Sequence, residues 1–199
     1  MVDAIETARS WIAAIASGDD ETMVELVAPR SLAAFGGEQG VRDNEIALSE
    51  GWGAWDFADN LSTQVVSIND STAIVVLHGD VPQEGPPQES WAALPVVATP
   101  EGDRVEPFVD LGHVEIHPEA NGEIGSDERF SAYVLGGREV YFVLDAGPVV
   151  EPAVQGADGD QQLAEHDVSG MAPGLHALTV VLRNADGVMA RTFLYDVRS

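Results

Sequence analysis

An α+β domain followed by an all-β sandwich is the architecture the sequence predicts, on three observations. Apolar residues recur at helical spacing up to about residue 50, then switch to strand spacing from Leu61 onward. Residues 118–127, PEANGEIGSD, are polar and turn-rich, the composition of a linker between modules. The chain closes on GLHALTVVLRNADGVMARTFLYDV, residues 174–197, two β-rich runs about the short loop Asn184-Ala185-Asp186-Gly187. Met189, Phe193, Tyr195 and Val197 share one face of the second run, whereas the first run is largely apolar on both faces, as in a strand covered on two sides. A hairpin alone is marginally stable, so this one requires further strands, and the segment before it supplies them. The expected modules are residues 1–118 and 127–199, joined by 119–126.

In the first module, Asp3 followed by Glu6 has the form of a capping pair at a helix start. Ile5, Ala8, Trp11, Ile12 and Ile15 then lie on one helical face, and Gly18 ends the helix. Asp19 or Asp20 caps a short second helix in which Met23, Leu26 and Val27 face inward, and Pro29 stops it. Gly36, Gly37 and Gly40 mark a loop. A third helical stretch runs from about Arg42 to Leu48 and leads into the aromatic cluster Trp52, Trp55 and Phe57. Val66 and Ile68 precede a turn at Asn69-Asp70-Ser71, and residues 73–77 are a solid apolar run rich in β-branched residues. The Pro-rich acidic segment 81–90 cannot join a sheet. Residues 91–99 and 104–116 read as two further strands, or three short ones, about the turn 100–103. Helices first and a meander afterwards is an α+β order.

A long first helix with an aromatic in its middle, the Gly18-Asp19 step, a short second helix ending in a Pro-containing loop, and then a meander together resemble the nuclear-transport-factor-2-like superfamily. That group includes the SnoaL-like cyclases and the ketosteroid isomerases. The resemblance covers residues 1–118 and implies a curved sheet wrapped around a helix, a cone with an apolar pocket. It also allows a homodimer formed through that sheet.

In the second module, 130–135 is a strand, Gly136-Gly137 a turn, and Val140, Phe142 and Leu144 alternate along the next strand. Residues 147–159 are irregular, with Pro148 and Pro152, and 163–168 form a short strand before the turn at 171–174. Several short strands at this spacing indicate a small β-sandwich. Gly174, His176, Leu178, Thr179 and Val180, before an acidic-Gly hairpin, resemble the closing strands of bacterial immunoglobulin-like domains. The strand Tyr141–Asp145, ending in Asp, fits the same pattern. That resemblance covers 127–199 and implies a spacer or adhesive module of an envelope or secreted protein, with His176 in a structural role.

The chain carries 34 Asp and Glu against 9 Arg and no Lys, a formal net charge of -25. Such a surface repels phosphate backbones and anionic headgroups, so no nucleic-acid partner and no electrostatic membrane docking are expected. The absence of Cys removes disulfides, thiolate metal sites and cysteine nucleophiles. No apolar run is long enough for a membrane span. The opening MVDAIETARSW lacks a basic stretch followed by an apolar one, so no signal peptide is expected in this chain, and a processed mature chain would read the same. The extracellular space or the cell envelope is favoured over the cytoplasm through the second resemblance.

Candidate chemistry falls into three groups. His113, Glu115 and His117 share one face of a predicted strand, an alternation that can chelate a transition metal and that an ordinary half-buried strand also produces. Trp52, Trp55, Phe57 and Trp91 are candidates to line an apolar ligand cavity or to be core aromatics. In the ketosteroid-isomerase-like members an Asp with a Tyr or second acid lines the cone. Asp56, Asp59 and His78 are the corresponding candidates here, with Asp80 nearby, yet all three Tyr (Tyr133, Tyr141, Tyr195) lie in the second module. Asp158-Gly159-Asp160 is a carboxylate-rich loop too short for an ion signature. His166 supports no mechanism. No phosphate-binding, nucleophile-elbow or zinc-helix motif occurs. The expected function is a non-enzymatic binding or interaction protein, without cofactor, holding an apolar small molecule or docking a protein partner on the first module. The alternative is an isomerase, cyclase or hydrolase with its site in the cone.

Overall fold

The computed structural model describes residues 3–135, 138–156 and 161–198. The predicted Gly136-Gly137 turn and the Asp158-Gly159-Asp160 loop lie outside the described residues. The protein is mostly β with a few helices, and its contacts divide it into two compact units, Met1–Asp110 and Leu111–Ser199.

In the first unit, α1 (Ala4–Ser17) buries Ala8, Trp11, Ile12 and Ile15, the face that the helical spacing gives. Gly18 ends it at φ 68°, donating its N–H to the Ala14 and Ile15 carbonyls. Asp3 sits at the N-cap, but its side chain makes no cap bond. Asp19 does cap α2 (Asp20–Glu25), accepting the Thr22 N–H at 3.2 Å. α3 (Pro29–Ala34) begins with Pro, where the missing N–H has no helical partner to lose. The glycine segment expected as a loop enters α4 (Gly37–Asp43), and the stretch expected over 42–48 is broken at Asn44 before α5 (Glu45–Gly51). Gly40 explains the first difference: a Cβ there would overlap the Phe35 carbonyl, so the missing side chain lets α4 start close against the end of α3. A single 3-10 turn, Gly53–Phe57, leads into the sheet.

That sheet is an antiparallel meander, β1 (Asp59–Asn69), β2 (Thr72–Val81), β3 (Gln88–Thr99) and β4 (Gly102–Val105), in the order β1-β2-β3-β4. Val75 pairs with Leu94 and Val96 with Val105, which places them with Leu77 on the face that packs against Trp11, Ile12, Ile15 and Met23. Residues 72–77 of β2 are all buried, so the run is covered on both faces, as its unbroken apolar character requires.

The stretch 104–116 divides, so residues 91–116 follow the alternative of three short strands rather than two. After β4, the Glu106 N–H bonds the Pro95 carbonyl at 2.8 Å, and the Phe108 N–H bonds Ser31 Oγ at 3.0 Å. Pro107 has no N–H to continue a ladder, and Phe108 instead stacks on Phe35 at 4.1 Å. The Glu106 side chain is fully buried and takes a two-point ion pair from Arg30 Nε and Nη2.

The strand at the end of that stretch, β5 (Val114–His117), belongs to the second unit, where it pairs with β7. The expected boundary at 118 thus lies within a unit that begins at Leu111, because Val114 and Ile116 find their ladder partners in Val134 and Ala132. The expected linker likewise contains β6 (Glu123–Ile124), which pairs with the chain's last strand. The remaining strands are β7 (Glu128–Leu135), β8 (Glu139–Leu144), β9 (Val149–Val150), β10 (Ala153–Gly156), β11 (Gln161–Val168), β12 (Gly174–Asn184) and β13 (Gly187–Val197). They form two sheets, β10-β11-β7-β5 and β6-β13-β12-β8-β9, in a sandwich-like arrangement. Phe130 of one sheet meets Tyr195 of the other edge-on at 5.1 Å. Residues 177–182 of β12 are all buried, in agreement with a strand covered on two sides.

Candidate functional site

The four aromatic residues proposed to line a cavity in the first unit lie in different surroundings. Trp55 is buried, Trp52 packs edge-on against Trp11 at 5.6 Å, and Phe57 is 63% exposed. Trp91 stacks on His78, ring centroids 4.0 Å apart. Because Leu77 faces the helices, its neighbour His78 and the cross-strand Trp91 lie on the opposite face of the sheet. The space between helices and sheet is occupied by Trp11, Trp55, Leu77 and Leu94, with Phe35 and Phe108 packed against them. Asp56 and Asp59 are exposed, on the 3-10 turn and at the start of β1. His78 Nε2 lies 2.9 Å from Glu89 Oε1. The polar candidates are therefore dispersed along one end of the sheet rather than directed into the helical core.

His113, Glu115 and His117 do share one exposed face, with Val114 and Ile116 buried on the other. His117 Nε2 is 3.1 Å from Glu115 Oε1. Among the described residues, no group of three or more His, Asp or Glu side chains is placed to hold a metal ion.

The second unit contains a more enclosed feature. Between its two sheets lies an apolar cleft of about 260 Å³. Phe142, Leu144, Val150 and Leu178 supply one wall, Pro148 closes one side, and His166 and Val168 supply the other wall. The ladder explains this convergence. His166 pairs with the buried Phe130, and two residues earlier the fully buried Ala164 pairs with Ala132, so His166 and Val168 turn inward with them. His166 is the one polar side chain in this lining. Its inward direction is written in the alternation Gln162, Ala164, His166, Val168, a signal that the isolated histidine conceals.

Below the cleft, a polar clamp fixes the wall that carries Leu144 and Leu178. His176 Nδ1 lies 2.6 Å from Asp145 Oδ2, and its Nε2 lies 2.7 Å from the Ala172 carbonyl. The other Asp145 oxygen accepts the Ala177 N–H at 2.8 Å. Both ring nitrogens face acceptors, and only the doubly protonated imidazolium donates to both. Burial works against that charge, but the hydrogen bonds to Asp145 and Ala172 outweigh it and raise the His176 pKa above its ordinary value. Asp145 and Ala146 adopt left-handed backbone, φ 49° and 56°, where the strand turns away. His176 is thus a structural residue with a complete set of partners.

No helix among the described residues is long and apolar enough to cross a membrane. No protein-family model matches the chain, and no curated protein matches it. Among solved structures it is similar to the endo-beta-1,4-mannanase from Thermotoga petrophila, with TM-score 0.35 and 12% identity over 47% of this chain and 22% of that one. It is also similar to a titin Ig tandem-domain structure, with TM-score 0.29 and 8% identity over 71% of this chain and 97% of that one. The chain spans only 22% of the mannanase's length. Likenesses this slight bear on neither activity nor ligand.

Proposed function

We infer that the chain is a non-enzymatic binding protein whose ligand site is the apolar cleft of its second unit. The observation that carries this reading is the inward-facing, partly open wall of Phe142, Leu144, Val150, Val168 and Leu178 with a single imidazole, His166. Pockets that bind small molecules are apolar with a few placed polar groups, and this lining has that composition. The ligand class is a small ring or short chain bearing one hydrogen-bonding group. In this reading the first unit is a nuclear-transport-factor-2-like cone with a packed interior. The second is a bacterial immunoglobulin-like sandwich, and the two belong to an envelope-associated or secreted polypeptide. Helices laid on an antiparallel meander, and a Gly174–Val180 strand clamped by His176, support those assignments without settling them. An enzyme site in the cone would require an ionisable group within an apolar pocket, whereas Asp56 and Asp59 are exposed.

Calorimetric titration with phenol tests the proposal. Saturable binding is expected for the wild-type chain and loss of it in Val168→Trp, which fills the cleft from its rim. Equal binding to both proteins, or binding to neither, would sink the proposal, provided that near-ultraviolet circular dichroism shows Val168→Trp folded.

A further inference from the structure

We propose that the free edge of β1 is a docking site for an extended, cationic segment of another protein, added as a fifth strand to the first unit's sheet. The sheet order ends at β1, and no other strand among the described residues pairs with its second edge. An edge strand presents a row of backbone N–H and C=O groups, and proteins ordinarily blunt such edges with charge, Pro or bulges. This edge is blunted only at its ends: register shifts fall between Asp59 and Ser62 and between Ser67 and Asn69. Between them, Ser62–Ser67 pairs with β2 residue for residue, from Ser62 opposite His78 to Ser67 opposite Ala73.

The composition of that edge departs from the acidic average of the chain. Residues 60–69, NLSTQVVSIN, contain no Asp, Glu, Lys, Arg or Pro, in a chain with 34 acidic residues and a net charge of -25. Gln64 and Ser67 are exposed, and Val65 is 42% exposed. A neutral strand with β-branched residues and both faces partly open fits strand addition, in which backbone bonds give affinity and alternate side chains give selectivity.

Charge complementarity selects the occupant. Asp56 and Asp59 precede the strand and Asp70 follows it, all exposed. Asp80, opposite Asp59 in the ladder, adds a further carboxylate at the first end, held by Asn60 Nδ2 at 2.8 Å. Arg9, the cation that touches β1, is bound to Thr63 Oγ1 at 2.9 Å from α1, on the helix side of the sheet. A second copy of this chain would bring another 34 acidic residues to an acidic neighbourhood. A segment with Lys or Arg at its ends and small or β-branched residues between them meets no such opposition.

The test uses the full chain and a synthetic peptide alternating Lys with Val, with a Ser-Val peptide of the same length as the uncharged control. Backbone amide NMR should show shifts centred on 62–67 with the Lys-Val peptide and several-fold weaker binding of the Ser-Val peptide. Gln64→Lys and Ser67→Lys, both at exposed positions, should weaken Lys-Val binding several-fold and leave the unfolding midpoint unchanged, while Gln64→Glu should preserve it. Four results overturn the proposal: shifts spread over other acidic surfaces, equal affinity for the two peptides, concentration-dependent shifts at 62–67 without peptide, or no binding. The third of these would assign the edge to self-association.

Discussion

Arg30→Met and Glu106→Gln remove the same ion pair from opposite sides, and the structure sets their costs apart. The Glu106 side chain has no exposure, whereas that of Arg30 is 43% exposed. Without Arg30, the buried carboxylate keeps its other contacts but loses its two-point guanidinium partner, and breaking a buried pair from this side costs about 3–5 kcal/mol. Without the Glu106 charge, Arg30 turns to solvent, and the loss is that of hydrogen bonds to a charged group, about 1.5–3 kcal/mol. At a urea dependence of about 2 kcal/mol per molar, the Arg30→Met midpoint should fall by roughly 2 M and the Glu106→Gln midpoint by about half that. The assay isolates the right unit: all four Trp (Trp11, Trp52, Trp55, Trp91) lie in the first unit and all three Tyr in the second. Selectively excited tryptophan fluorescence during urea unfolding therefore follows the first unit. Equal midpoints for the two variants, or a lower one for Glu106→Gln, would refute the reasoning.

Further outcomes follow from the same geometry. Because the folded pKa of His176 is raised above 6.5, its contribution to the second unit is fully present below the unfolded value and is lost as pH rises through the folded one. Tyrosine circular dichroism during thermal unfolding should show a midpoint that declines across that window in the wild type and a flatter profile in His176→Gln. Gly40→Ala would gain helix propensity in a surface helix, but its Cβ meets the Phe35 carbonyl, so a net loss of about 1–3 kcal/mol is expected in tryptophan-detected unfolding. Thr22 should lose amide protection at the start of α2 in Asp19→Ala, whose cap removal costs about 1 kcal/mol, as read by hydrogen exchange.

Much of this architecture was legible in the sequence because it depends on local chemistry. Gly18 ending α1, Asp19 capping α2 and the hairpin through Asp186 and Gly187 each follow from one or two residue types, whereas the segment 81–90, expected to stay out of the sheet, joins it at both ends, with Val81 opposite Gln88 and Gly79 opposite Ser90. The first boundary was not legible: Val114-Glu115-Ile116-His117 alternates as a strand of either unit would, and only its partners on β7 decide. The helical segment 37–51 was misjudged because glycines that signal a loop also permit close approach, as Gly40 does beneath Phe35. The placing of the candidate aromatics was only partly legible for a similar reason. Trp52, Trp55, Phe57 and Trp91 are neighbours in sequence or type, but strand parity turns Trp91 away from the core and the 3-10 turn exposes Phe57. The alternation through Ala164 and Val168 turns His166 inward, but only the facing of its sheet with the one that carries Leu144 and Leu178 brings the three together.

Methyl-labelled NMR of the full chain titrated with phenol decides most directly between a site in the second unit and a site in the first. Shifts confined to the methyls of Leu144, Val150, Val168 and Leu178, with movement of the His166 ring resonances, are the expected result. Shifts at Leu77, Leu94, Val96 and Val105 instead would place the ligand between the helices and the meander, and would contradict the binding site proposed for this protein.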